Sequence, residues 1–194
     1  MSRSRRKPER IIELGGGDGS LMLALARRLS PAWPRVRLSL LDRQQLVTQR
    51  THAEFERLGW RLEVLCTDVH EWAAQAHARP QAPAQHWDIC VANLFIHHFD
   101  SGQIAALFDT LGSRTDMFVA CEPRRGPMPL LAGRLVGWLG ANAVTREDAV
   151  ASVRAGFRDR ELSALWPDRA AEWRLEEGPA GWFSHRLIAT RRRA

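Results

Sequence analysis

Apolar residues in this chain gather in short runs bounded by turn formers, and between the runs they recur every three or four positions. The first run is Ile11-Ile12-Glu13-Leu14, followed by Gly15, Gly16, Gly17 and Gly19, and then by Leu21, Leu23, Ala24, Leu25 and Leu29 at helical spacing. This order predicts a buried strand, a tight turn and a helix that Ser30-Pro31 ends. Four side chains are missing at the turn, so backbone there can approach a ligand closely.

The alternation continues. Val36 to Leu41 predicts a second strand closing on Asp42, and Leu46, Val47, Phe55 and Leu58 predict a helix from about Arg43 to Leu58 with Gly59 as its C-terminal cap. Trp60 to Leu65 reads as a third strand running into Cys66-Thr67-Asp68-Val69, with a short helix near His70 to Ala78 and a proline-containing loop after it. Trp87 to Asn93 reads as a fourth strand, and Asp100-Ser101-Gly102-Gln103 caps a helix carrying Ile104, Leu107, Phe108 and Leu111 on one face. Met117 to Cys121 reads as a fifth strand ending at Glu122-Pro123. Strands alternating with helices predict an α/β fold with a mostly parallel sheet covered by helices on both faces.

From 124 to 171 the pattern changes to helices, expected around Leu130 to Leu139, after a Thr145 cap, and near Arg160 to Trp166. Glu172 to Glu177 and Trp182 to Thr190 flank Gly178-Pro179-Ala180-Gly181 and predict an antiparallel hairpin. No repeat or linker divides the chain. The expectation is one domain over 1–194, with a basic tail at 1–10, a helical insertion or lid at 124–171 and a terminal hairpin at 172–190.

Composition changes this picture little. Apolar residues make up 45% of the 194 and charged residues 26%, as in ordinary globular domains. The net charge of +6 sits at the ends: without Arg3, Arg5, Arg6, Lys7, Arg10, Arg191, Arg192, Arg193 and Glu9, 20 positive charges face 21 negative ones. The body is therefore near neutral, and the tails read as solvated ends. Cys66, Cys90 and Cys121 lie far apart without metal-ligand spacing, which predicts reduced thiols and a cytoplasmic protein. The basic start is not followed by the apolar run of a signal peptide, and no stretch is long enough to span a bilayer.

The glycine spacing selects among ligands. A dinucleotide turn needs G-x-G-x-x-G, and Ser20 stands at the third glycine position; a P-loop needs Gly-Lys-Ser/Thr, which is absent. The spacing present is acid-x-G-x-G-x-G, with Glu13, Gly15, Gly17 and Gly19. In these residues, together with Asp42 and Asp68 at successive strand ends, the chain resembles the class I S-adenosylmethionine-dependent methyltransferases.

The resemblance spans about 12 to 123 and, through the hairpin, the whole sheet. It implies a Rossmann-like seven-stranded sheet whose last strand is antiparallel, and S-adenosyl-L-methionine as cofactor. Glu13, Gly15, Gly17 and Gly19 would then serve the methionine end. Asp42 would accept from the ribose hydroxyls, Asp68 would meet the adenine amino group with Val69 against the ring, and Asn93 would close the site. A carboxylate can accept from two vicinal hydroxyls as a pair, which gives Asp42 a physical reason independent of the family. The competing readings are local: Asp42 or Asp68 as a helix cap, Asp18 as a cap, and Glu13 as an acid satisfied by backbone amides. Family members usually carry helices ahead of the first strand, where about ten residues stand here. The expectation is that 124–171 forms most of the lid or that the start is truncated.

Asn93-Leu94-Phe95-Ile96-His97-His98-Phe99-Asp100 follows the fourth strand, where a parallel sheet places a reacting ligand. Base-amino methyltransferases carry polar-Pro-Pro-aromatic there, which Asn93-Leu94-Phe95 does not match. Small-molecule members of quinone, phenol and polyketide pathways resemble it better. In plant-type phenolic members a histidine is general base; His97 aligns with it, and His98 is the alternative. The competing reading is that one histidine of the pair caps the following helix or lines the cofactor pocket, and Glu122 is placed to orient the acceptor or a histidine. Phe95, Phe99, Trp138, Trp166 and Trp182 are candidates to line an apolar acceptor pocket, against the commoner reading of such aromatics as core. No metal is implied, because His97, His98 and Asp100 are too close in sequence to form a site unaided. The expected function is O-methylation of a small aromatic or polyketide-like acceptor. Two other readings stay open: an inactive cofactor-binding partner module, and a nucleic-acid methyltransferase recruited by the basic tails.

Overall fold

The computed structural model describes residues 7–78, 85–126, 155–167 and 171–192. Its strands are β1 (Arg10–Leu14), β2 (Arg37–Asp42), β3 (Arg61–Cys66), β4 (Ile89–Asn93), β5 (Met117–Pro123), β6 (Trp173–Ala180) and β7 (Ser184–Arg191). The helices are α1 (Ser20–Leu29), α2 (Gln49–Arg57), α3 (Val69–Ala78) and α4 (Ser101–Arg114), and short 3-10 turns cover Ile96–His98 and Ser163–Leu165. The seven strands form one sheet in the order β3-β2-β1-β4-β5-β7-β6. β1 runs parallel to β2 and to β4, β2 runs parallel to β3, and β6 and β7 pair antiparallel. The order reverses at β1 and β4, the point at which open α/β sheets open a crevice at their carboxyl ends.

Proximity in space groups the residues into two compact units, 1–92 with 110–117 and 93–109 with 118–194. In the first, Ile11, Leu38 and Leu40 of the sheet bury against Met22 and Ala26 of α1, Phe55 of α2 and Trp60. Trp60 satisfies its ring N–H by donating to the Trp33 carbonyl at 2.9 Å, so a large side chain enters the core without an orphaned donor. Asp88 accepts from the backbone N–H groups of Glu9 and Arg10 and so pins the start of β1. The expected tail of 1–10 therefore ends before Glu9 among the described residues.

The second unit is built on aromatic contacts. Trp166 lies 5.0 Å from Phe108, 5.7 Å from Phe118 and 5.0 Å from Trp173, ring centre to ring centre. Trp166 is thus a core residue and not pocket lining. His185 and Glu177, both almost fully buried, bond at 2.9 Å, and Glu177 also accepts from the N–H groups of Leu162 and Ser163.

Three expected elements differ. The helix expected from Arg43 begins at Gln49, because Asp42 accepts from the Gln44 N–H and turns the chain, leaving Thr48 to cap α2 through the Thr51 N–H. The hairpin turn lies at 181–183, with Gly178-Pro179-Ala180 still in β6. Pro179 is tolerated because β6 is an edge strand, and Gly181 supplies the positive φ of +79° that the tighter turn needs. A 3-10 turn replaces the helix expected near Arg160 to Trp166. The helices expected around Leu130 to Leu139 and after Thr145, and Trp138 with them, lie outside the described residues.

Candidate functional site

β1 delivers the chain to the glycine turn, and the turn folds back over the end of β2. Gly15 and Gly16 donate to the Leu41 carbonyl at 2.8 and 3.1 Å, and Gly19 donates to the Gly16 carbonyl at 2.9 Å. Gly15, Gly17 and Gly19 all hold positive φ. At Gly19 a Cβ would stand 2.8 Å from Leu40 Cδ1, so the leucine side chain would have to move, and the φ of +79° itself favours glycine. At Gly17 a Cβ would meet nothing within 4 Å. That bare position opens onto free space.

Asp42 ends β2 and grips the same turn: one carboxylate oxygen accepts from the Gly17 N–H at 3.0 Å and the other from the Gln44 N–H at 2.9 Å. It does not cap α2. A carboxylate offers about four acceptor sites, so two amide bonds leave capacity for hydroxyl donors. Asp18 accepts from the Ser20 N–H, which holds its carboxyl below the usual range; the cap of α1 is Gly19, without a side-chain bond, so Asp18 closes a local turn and is not the helix cap.

Glu13 is the unusual member. It is 3% exposed, and its Oε2 has no hydrogen-bond partner. A Cβ on Gly16 would lie 3.4 Å from that oxygen, which places it against the underside of the turn. Burial first, then the negative charges of Asp18 and Asp42, push its pKa up to about 8. The amide-satisfied reading of Glu13 therefore fails for this oxygen. Cys90 of β4 is fully buried, and burial followed by the Glu13 charge holds the thiol well above its usual range. The sequence marked Cys90 only as a buried thiol; β4 lies next to β1 in the sheet, with Ile12 paired to Cys90 and Glu13 to Val91.

The other candidates are placed as follows. Asp68 precedes α3 and accepts from the His70 N–H at 2.8 Å, so it does act as a helix cap. Val69 is 2% exposed and belongs to the core surface. Asn93 is the last residue of β4. Leu94 follows it with a φ of 52°, strained for a branched side chain, and stands exposed while its N–H donates to the Cys121 carbonyl.

In the second unit Glu122, wholly buried in β5, gathers the segment after β4. Its carboxylate accepts from the backbone N–H groups of Phe95 and Ile96 at 3.1 and 2.9 Å and from that of His97 at 3.4 Å. The same carboxylate meets His97 Nδ1 at 2.8 Å. With backbone donors converging on Glu122, the imidazole is the donor in that contact. The Nδ1 proton leaves the lone pair on Nε2, the arrangement of a general base. The His98 ring lies 4.1 Å from that of His97, and burial first, then the neighbouring imidazole, lower its pKa while Glu122 raises it. Phe95 and Phe99 meet edge to face at 5.0 Å.

No family model matches this sequence, and no curated protein matches it. Solved structures do. A pyocyanin biosynthetic protein, PhzM, superposes with a TM-score of 0.61 at 18% identity, over 96% of this chain and 51% of that one. The S-adenosylmethionine-dependent methyltransferase SibL gives 0.58 at 17%, over 96% and 51%. The magnesium protoporphyrin IX methyltransferase ChlM from Synechocystis PCC 6803, with bound SAM, gives 0.56 at 13%, over 96% and 71%. The chain has the Rossmann-like methyltransferase fold. It spans about half the length of PhzM and SibL. Among the described residues no helix is long and apolar enough to cross a membrane, and no cluster of metal-ligating side chains occurs.

Proposed function

We propose that this protein is an S-adenosylmethionine-dependent methyltransferase acting on the hydroxyl of a small aromatic or polyketide-like acceptor. The observation that carries the reading is the unpartnered Glu13 oxygen beneath a glycine turn whose Gly17 amide is held by Asp42. A buried carboxyl without a partner is costly, and a ligand ammonium would relieve it. The open face at Gly17 admits close approach to backbone. These residues fit the amino-acid end of the cofactor, which, when bound, supplies a methyl group activated on a sulfonium.

The remaining roles belong to the chain's own side chains. Asp42 would take the ribose hydroxyls through its free lone pairs. Asp68 would accept from the adenine amino group with Val69 beside it, Gly15 and Gly19 would shape the turn, and Asn93 would border the site. His97 Nε2 would remove the acceptor's proton, with Nδ1 held by Glu122, and His98 is the second candidate. Orientation can supply up to about 7–11 kcal/mol in such a transfer, and a base roughly 10²–10⁴-fold. The names of several fold neighbours, a pyocyanin biosynthetic protein and the CMeT domain of a citrinin polyketide synthase, support a small-molecule acceptor.

Titration calorimetry with S-adenosylmethionine tests the core of the reading. We expect binding by the wild type and at least tenfold weaker binding by Asp42→Ala; no binding by a folded wild-type sample overturns it.

A further inference from the structure

Glu13 has a consequence for how any ligand binds there. Three carboxyl groups, Glu13, Asp18 and Asp42, surround one turn, and the two aspartates already accept backbone N–H groups. Glu13 alone is sealed from water with an oxygen unpaired. The charged groups that act on it are Asp18 from the turn and Asp42 from β2, and the Cys90 thiol of β4, itself raised by the Glu13 charge, is neutral over the same range. None is a cation. An ionised Glu13 would add a negative charge to two others at a turn where no described residue supplies a counter-ion, which favours the protonated form in the free protein.

We propose that ligand binding at the glycine turn is coupled to release of the Glu13 proton, the vacated carboxylate becoming the partner of the ligand's ammonium group. The inference rests on the cofactor reading above. The step is a proton transfer only. The Glu13 O–H bond breaks, its proton passes to the buffer, and the carboxylate formed pairs with an ammonium that keeps its own protons. The orphaned oxygen gains a charge-assisted donor in the same event. Raised proton affinity in the free state thus makes affinity for the ammonium ligand rise with pH.

Calorimetry on the full chain with S-adenosylhomocysteine, which keeps the ammonium, and with 5′-methylthioadenosine, which lacks it, separates this coupling from plain recognition. Repeating each titration at pH 7 in phosphate and in Tris counts the protons. We expect close to one proton released per S-adenosylhomocysteine and none per methylthioadenosine. The dissociation constant for the former should fall by roughly tenfold per pH unit between pH 6 and 7.5, as one linked proton requires. Glu13→Gln should bind with no proton release and a flat pH profile. Should that variant misfold, the wild-type Glu13 carboxyl can be followed by carbon-13 NMR, where a ligand-induced drop in its titration midpoint is the expected result. Tight binding of S-adenosylhomocysteine with no proton exchange and a flat profile overturns the coupling and leaves the cofactor reading standing. No binding of either ligand overturns both.

Discussion

Glu122 holds His97 at two points, its Oε2 lying 2.8 Å from the ring Nδ1 and 3.4 Å from the backbone N. The other oxygen takes the amides of Phe95 and Ile96, so one buried carboxylate both folds the segment after β4 and sets the histidine tautomer. Ring orientation and backbone path are therefore not separable at this site.

Glu122→Gln keeps the shape but brings an NH₂ group where only acceptors were needed. The amide must turn either against the backbone donors or against Nδ1, and the second choice moves the imidazole proton to Nε2. We expect turnover on a phenolic acceptor to fall by about 10²-fold, with the acceptor KM changing little. Steady-state kinetics across pH check this; equal losses in kcat and the reciprocal of KM would point to misplaced binding instead.

Gly17→Ala and Gly19→Ala should part company. Both impose a left-handed conformation on alanine, costing about 1–2 kcal/mol. Only at Gly19 does the new methyl collide with packed structure, 2.8 Å from Leu40 Cδ1. Thermal unfolding should show Gly19→Ala as clearly less stable. Gly17→Ala should fold and lose S-adenosylmethionine binding, because its methyl occupies the open face of the turn.

Without ligand, Glu13 makes stability depend on pH. Its folded pKa of about 8 exceeds the unfolded 4.5, so the native state binds the extra proton between these limits. The contribution is fully present below about pH 4.5 and is lost as pH rises through about 8. Urea unfolding at pH 5, 7 and 8.5 should show wild type losing stability relative to Glu13→Gln, by at most about 1.4 kcal/mol per pH unit within that window. A difference that stays constant with pH would contradict the burial argument.

In the hairpin, Glu177→Ala leaves the buried His185 and the Leu162 and Ser163 amides without their shared acceptor. Denaturant unfolding should register a loss of about 3–5 kcal/mol.

Much of this was readable along the chain. β1, the glycine turn and α1 follow from neighbours in sequence: β-branched residues, then glycines that alone tolerate the positive φ values, then helical spacing of leucines. Asp100 and Gln103 bond reciprocally at the start of α4, as their spacing requires. The start of α2 was not readable, because Asp42 commits its carboxylate to Gly17, 25 residues earlier, and to Gln44.

The sequence by itself determined the order of strands and helices, the glycine geometry and the positions of Glu13, Asp42, Asp68 and His97 at strand ends, since periodicity, turn chemistry and spacing are local properties. Only the tertiary structure decided which acid is buried without a hydrogen-bond partner and which histidine nitrogen meets a carboxylate. Those features depend on burial and on partners brought together in space: Asp18 and Asp42 near Glu13, and Glu122, 25 residues away, on His97. Proton affinity is set by surroundings in space, and a sequence records only neighbours along the chain.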